Sequence, residues 1–396
     1  MCGIIGYAGR QPAARVLVDA LRRLEYRGYD SAGLATADRG RLHVLKLEGR
    51  VDALARLARR HPPGGTSGIG HTRWATHGVP SDRNAHPHLD CHGRIAVIHN
   101  GIIENFAPLK DRLRRQGHRF RSETDTEVVA HLIEAQYRGD LAGALRRATR
   151  HLRGQYVLVA VSRDEPGVVV GVRQGPPLLV GLGQGATFLT SGIPAFLPWT
   201  RRFLPMEDGE MAVITPEGAR LVDPAGRQVR RKAETADWSL AQAEKEGYPT
   251  FMLKEIHEQP RALLDTLQGR ATPTGTGDLG RELGVSPKAL ARVDRVHLVA
   301  CGTAWHAALV GRHWIESVAG IPATAEIASE FRYADPVLTP RSLVVAVTQS
   351  GETADTLGAV TLARKGGARV LAVCNVVGSS IPRASHATLL TRAGPE

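Results

Sequence analysis

Aromatic residues make up only 5% of this 396-residue chain, and cysteine occurs just four times. Each scarcity excludes something. Cys2, Cys91, Cys301 and Cys374 lie far apart and form no Cys-x-x-Cys unit, so no disulfide framework is expected and a reducing compartment suits the chain. His86, His88, Cys91 and His92 crowd one stretch, but their spacing fits none of the usual zinc patterns and Pro87 stiffens the segment, so no metal is expected. No apolar run reaches the roughly 18 residues of a membrane span, and the N-terminus lacks the basic-then-apolar layout of a signal peptide. A cytoplasmic protein without a membrane partner is the expectation. The formal charge of +12 would suit nucleic acid, yet the arginines are spread along the whole length with no basic block interleaved with aromatics. A solvated, Arg-rich surface accounts for the charge, and no nucleic-acid partner is expected.

What is present begins at the second residue. Methionine aminopeptidase removes Met1 readily before a small residue, which leaves Cys2 with both a thiol and a free α-amine. A thiol near its reference pKa of roughly 8.5 and an amine near roughly 8 form a nucleophile and its base within one residue. The alternative is a small apolar residue that opens the strand Cys-Gly-Ile-Ile-Gly-Tyr.

Later segments offer the groups such a nucleophile needs. After a helix over residues 14–24, Tyr26 to Gly33 is a polar, glycine-rich turn in which Arg27 and Asp30 either pair or shape a site. In His71-Thr72-Arg73-Trp74-Ala75-Thr76-His77-Gly78, Arg73 offers a planar fork for a substrate carboxylate; His71 and His77 are equally open to a structural role. The buried run Ile95 to Ile98 leads to Asn100-Gly101, where an amide side chain and an unhindered backbone N–H would stand side by side as an oxyanion hole; a hairpin is the other reading of Asn-Gly. Helical character is expected from Glu104 to Arg115. Thr124 and Glu127 have capping-box spacing, and Asp125 is left over to hold an ammonium group. Residues 155–221 read as short strands, and residues 223–250 as a polar linker. Helical spacing resumes over 251–267, interrupted at Pro260.

The second half repeats strand, loop and helix. Strands are expected at 296–300, 343–347 and 370–374, with helices at 305–318 and 354–364. This implies a doubly wound parallel sheet that binds ligands beyond its strand ends, where hydroxyls meet helix N-termini. Neither loop matches Gly-x-Gly-x-x-Gly or the P-loop, so no dinucleotide or ATP cofactor is indicated; a sugar phosphate suits the loops better.

Cys2-Gly3-Ile4, YRGYDSAG, HTRWATHG, HNGIIEN and SETDTE resemble the glutaminase domain of the glucosamine-6-phosphate synthase family, the isomerising glutamine:fructose-6-phosphate aminotransferases. MLKEIHEQP, EIASEFRY and TQSGETADT resemble that family's linker and first sugar-isomerase (SIS) domain. The resemblance covers nearly the whole chain. It implies an α/β protein: an N-terminal-nucleophile αββα four-layer glutaminase domain over 2–222, a linker and connecting helix over 223–284, and a partial SIS domain over 285–396. It also implies that Cys2 attacks the glutamine amide, that Asn100 and Gly101 stabilise the oxyanion, and that Arg73 and Asp125 hold the substrate's carboxylate and amine. Trp74 belongs to the closing loop, and Thr76 and His77 line the same pocket. Thr303, Thr348, Gln349, Ser350 and Thr353 match sugar-phosphate positions, with Thr348 where serine is usual and Ala304 replacing another serine. Glutamine and fructose 6-phosphate are the implied substrates, no cofactor is implied, and a homodimer is expected. The chain stops where the family continues into the isomerase machinery, so glutamine hydrolysis without complete synthesis is the expectation, as for a fragment of a longer product. A different class II amidotransferase acting on a phosphosugar, and a non-catalytic sugar-phosphate sensor, are the competing readings.

Overall fold

The computed structural model describes residues 2–75, 77–236, 246–272, 275–276 and 282–394. They fall into two compact units, divided between Leu240 and Ala241.

The first unit is built from strands whose two faces are both buried. In the strand Ile95–Ile103, Ile95 and Val97 join a core with helix residues Leu109, Leu113, Val128 and Leu132, whereas Ala96 and Ile98 join a second core with Ile4, Ala8 and Ile69. The neighbouring strand Gly154–Ser162 splits in the same way, Leu158 and Ala160 to one side and Val157, Val159 and Val161 to the other. Side chains alternate at period two, so a continuous apolar run fills both faces of a sheet at once. Each fully buried aliphatic side chain contributes about 1.5–3 kcal/mol.

The result is two stacked antiparallel sheets. One has eight strands, among them Gly3–Gly9 flanked by Ala186–Thr190 and Ser67–Arg73; the other has seven, with Gly154–Ser162 beside Ile95–Ile103. Helices Ala13–Arg22 and Val51–Arg60 pack on the outer face of the first sheet. Gly68 and Gly70 leave room there for Leu17 and Leu21, while Ile69 points between the sheets. Helices Phe106–Arg115, Glu127–Gln136 and Leu141–Thr149 cover the outer face of the second sheet. This is the expected four-layer αββα order.

Three local expectations change. The strand Ile95–Ile103 does not stop at Asn100-Gly101 but continues two residues beyond, and the next helix starts at Phe106. Gly101 carries the kink at φ +115°, and a Cβ there would strike the Gln155 carbonyl oxygen. Within 223–250, expected to be linker, Gln228–Val229 and Glu234–Thr235 pair at the edges of the two sheets, because backbone pairing tolerates polar side chains at an edge. Glu127 forms no box with Thr124; it accepts from the Arg121 and Ser122 N–H groups and from Ser122 Oγ, while Thr124 Oγ1 meets His88 Nε2.

The second unit contains a five-stranded parallel sheet in the order Ala323–Ile327, Arg295–Ala300, Ser342–Thr348, Arg369–Cys374, Ala387–Leu390. The chain reverses its direction of travel between Arg295–Ala300 and Ser342–Thr348. That switch point is where a parallel sheet opens a crevice for ligands. The helix Thr303–Trp314 is shorter than expected and passes into a π-turn over Ile315–Ala319. Phe251–Leu267 is one unbroken helix despite Pro260, with Thr250 Oγ1 accepting from the Leu253 N–H at its start. Pro260 removes the N–H that would pair with the Ile256 carbonyl, and Ile256 is exposed on that helix.

Candidate active site

The opening strand is held at its first residues. The Gly3 N–H donates to Thr72 Oγ1 at 3.1 Å, the Ile4 N–H to Ser191 Oγ at 3.0 Å, and Thr190 Oγ1 donates to the Ile4 carbonyl at 2.9 Å. Pairing of Gly3 with Thr72 sets Cys2 beside Arg73 and Trp74. The Trp74 N–H donates to Cys2 Sγ at 3.1 Å. Asp30 fixes that turn from the other side: its N–H reaches the Arg73 carbonyl and its Oδ2 accepts from the Ala75 N–H at 2.8 Å. Arg27 does not pair with Asp30 but donates to the Ser191 carbonyl, so the Tyr26 to Gly33 turn shapes the site.

Cys2 opens into a cavity of about 300 Å³, lined also by Arg73, Trp74, His77, Asn100, Gly101 and Asp125. All seven residues come from segments singled out in the sequence. Thr76 lies outside the described residues. One Arg73 nitrogen, Nη2, donates to the carbonyls of His77 and Gly78, which fixes the side chain. Its other terminal nitrogen, Nη1, is buried with no hydrogen-bond partner among the described residues. A buried guanidinium N–H left unpaired is costly, and a carboxylate is its natural complement. Asp125 lines the same cavity, its Oδ2 accepting from the Ile103 N–H at 2.8 Å. Trp74 is half exposed and meets Tyr29 edge-on, with ring centroids 5.5 Å apart. His77 packs its ring against Phe106.

His71 does not touch the nucleophile. Its Nε2 lies 3.0 Å from both the His99 carbonyl and Asn100 Oδ1, two acceptors, so this nitrogen carries the proton. Burial drives the His71 pKa down to about 3, which keeps the ring neutral at any working pH. With Oδ1 committed to His71, Asn100 turns its Nδ2 toward Cys2 and donates to the Cys2 carbonyl at 2.7 Å. His71 is thus a positioning residue. Its motif drew attention, but only the structure separates this role from substrate contact.

Burial raises the Cys2 thiol above its usual value, against the opposing Trp74 N–H. A raised pKa leaves the thiol protonated at neutral pH, and the thiolate is the reactive form. The alkylation rate of Cys2 by iodoacetamide is therefore expected to climb throughout the range from about pH 6 to about pH 9. A plateau beginning below about pH 7 in stopped-time mass spectrometry would contradict this.

In the second unit, Thr303, Thr348, Gln349, Ser350 and Thr353 lie on the loops at the switch point. Thr303 opens the helix Thr303–Trp314, and Thr353 is the cap residue of Ala354–Lys365 but forms no side-chain cap bond. Thr348 Oγ1 accepts from the Gly351 N–H and Ser350 Oγ from the Glu352 N–H, both at 3.2 Å, which curls the loop between strand and helix.

Comparison with known proteins places both units. Residues 71–198 match the glutamine amidotransferase domain family, and residues 289–396 match the SIS domain family. The glutamine–fructose-6-phosphate aminotransferase (isomerizing) of Symbiobacterium thermophilum is 55% identical over the whole chain, and that of Thermus thermophilus is 51% identical. The likeness to both aminotransferases runs along this chain from end to end. It spans 65% of the length of each. The solved glutamine phosphoribosylpyrophosphate amidotransferase of B. subtilis aligns over 94% of this chain and 81% of its own, with a TM-score of 0.52 at 22% identity. That likeness shows the fold alone. The two family matches fall within the four-layer unit and within the unit that holds the parallel sheet, respectively.

Proposed function

We propose that this chain releases ammonia from glutamine at Cys2, as the glutaminase part of an enzyme that makes glucosamine 6-phosphate from fructose 6-phosphate. The observation that carries the reading is the cavity at Cys2, into which Arg73 brings a buried, unpartnered guanidinium N–H. In the proposed course, the α-amine of the processed Cys2 takes the thiol proton and the sulfur attacks the side-chain amide carbon. The C=O π bond opens onto oxygen to give a tetrahedral oxyanion, and Asn100 Nδ2 with the Gly101 N–H stabilises that charge. Expulsion of ammonia, protonated by the same amine, leaves a thioester that water hydrolyses to glutamate. Arg73 and Asp125 hold the substrate's carboxylate and ammonium.

The sugar phosphate would bind at the switch point of the second unit, its phosphate among Thr303, Thr348, Gln349, Ser350 and Thr353. Two helices of 12 residues begin there, and their free N–H groups favour an anion. A homodimer in the cytoplasm is part of the proposal. No helix among the described residues is long and apolar enough to cross a membrane.

Arg73→Ala tests the reading. The glutamine kcat/KM is expected to fall about 100-fold, near 3 kcal/mol, mostly through KM, because a charge-assisted contact made equally in ground and transition states is lost. An unchanged KM in a glutamate-dehydrogenase-coupled assay would refute the carboxylate assignment.

A further inference from the structure

Away from the glutamine cavity, three segments bring Cys91, His118, His131 and Glu134 together. Cys91 sits in the turn between strands His88–Leu89 and Ile95–Ile103, and His118 follows the helix Phe106–Arg115. His131 and Glu134 are three residues apart on Glu127–Gln136, and so share one face of that helix. We infer that these four side chains form a structural zinc site in the amidotransferase unit.

The geometry carries the inference. Both imidazoles turn Nδ1 toward one point: Cys91 Sγ lies 3.7 Å from His118 Nδ1 and 3.5 Å from His131 Nδ1, and Glu134 Oε2 lies 2.8 Å and 3.2 Å from the same two atoms. A tetrahedral zinc ion with ordinary Zn–S, Zn–N and Zn–O distances spaces its ligand atoms about 3.3–3.6 Å apart. The other separations within the set are no more than 4.8 Å, so shifts of about an ångström bring all four to that spacing. One thiolate, two imidazoles and one carboxylate also select zinc over calcium or magnesium, which take oxygen ligands alone.

The surroundings match what a metal site requires. His131 is fully buried, and its far nitrogen, Nε2, faces Glu127 Oε1 at 3.8 Å, the carboxylate position that orients a ligating histidine. His92 Nε2 stands 3.5 Å from Glu134 Oε1, leaving Oε2 for the shared point, and the Arg119 N–H donates to Cys91 Sγ at 3.4 Å. His118 also borders a surface cavity with Arg112, Gln116 and His151, which gives an ion a way in. The ligands would pin the helix Glu127–Gln136 to the turn beneath it. Asp125 and Thr126 lead into that helix, so zinc would steady one wall of the glutamine cavity.

The test uses the full chain, freed of any affinity tag, stripped with a chelator and reloaded with Zn²⁺ or Co²⁺. Elemental analysis should find one zinc per chain in the wild type and in Cys2→Ala, with affinity about 100-fold lower in both Cys91→Ser and His118→Gln. Cobalt should give the intense visible bands of a tetrahedral ion and a thiolate charge-transfer band that Cys91→Ser removes, and zinc should raise the melting temperature of the wild type and of Cys2→Ala but not of Cys91→Ser or His118→Gln. Failure of the wild type to hold stoichiometric zinc, or a cobalt spectrum indifferent to Cys91→Ser, would overturn the site and leave a hydrogen-bonded cluster. If Cys91→Ser does not fold, zinc affinity and the zinc-dependent melting temperature of His118→Gln decide.

Discussion

Replacing Cys2 with alanine is expected to lower ammonia release from glutamine about 10⁴-fold or more. The size follows from how the site is built. Among the described residues, no other sulfur or hydroxyl group lines the cavity except the Thr124 and Thr126 side chains, and these are tied to Ser122 and His88, and to His99 and His86, respectively. The cavity also keeps its binding groups when Cys2 is shortened, because Arg73 and Asp125 are fixed by bonds that do not involve the thiol. Glutamine should therefore still bind to Cys2→Ala in calorimetry. A variant that retains full turnover would eliminate the nucleophile assignment, whereas one that loses both turnover and glutamine binding would place Cys2 in the architecture of the pocket.

Asn100→Ala carries the second large effect, a fall in kcat of about 10²–10³ with KM nearly constant, since an oxyanion donor acts only once charge has developed. The fold should tolerate the change: His71 Nε2–H retains the His99 carbonyl as acceptor when Asn100 Oδ1 is gone, and the Ile95–Ile103 strand keeps its pairing with Gly154–Ser162. An unchanged melting temperature beside a reduced kcat separates catalysis from stability. A kcat within about threefold of wild type would remove Asn100 from the oxyanion hole.

These residues were legible in the sequence because each sits in a short contiguous motif whose chemistry can be named in isolation. Cys2 next to a removable methionine, Arg73 in the His71 to Gly78 motif, and Asn100-Gly101 after an apolar run all announce a reactive group. Relations between motifs were not legible. Nothing in spacing indicates that His71 spends its proton on Asn100 Oδ1, or that Asp30 spans the Arg73 to Ala75 turn, because the first contact depends on how the two sheets stack and the second on the register of Ser31 against Arg73. Cys91 illustrates the same limit. Judged with its sequence neighbours His86, His88 and His92 it fits no zinc pattern, yet the fold sets those aside as ligands and supplies His118, His131 and Glu134 instead. The layered architecture was easier, because the doubly buried strands read as continuous apolar runs and the parallel sheet as repeated strand-loop-helix units. Edge strands such as Glu234–Thr235 carry no such signal, since their stability comes from backbone pairing.

The most direct test of the account is the intact mass of the purified chain before and after treatment with the glutamine-analogue electrophile diazo-oxo-norleucine. The prediction is a chain that lacks Met1 and gains one adduct, mapped to Cys2 and suppressed by excess glutamine. Retention of Met1, or a processed Cys2 that takes up no adduct, would contradict the claim that this residue is the nucleophile.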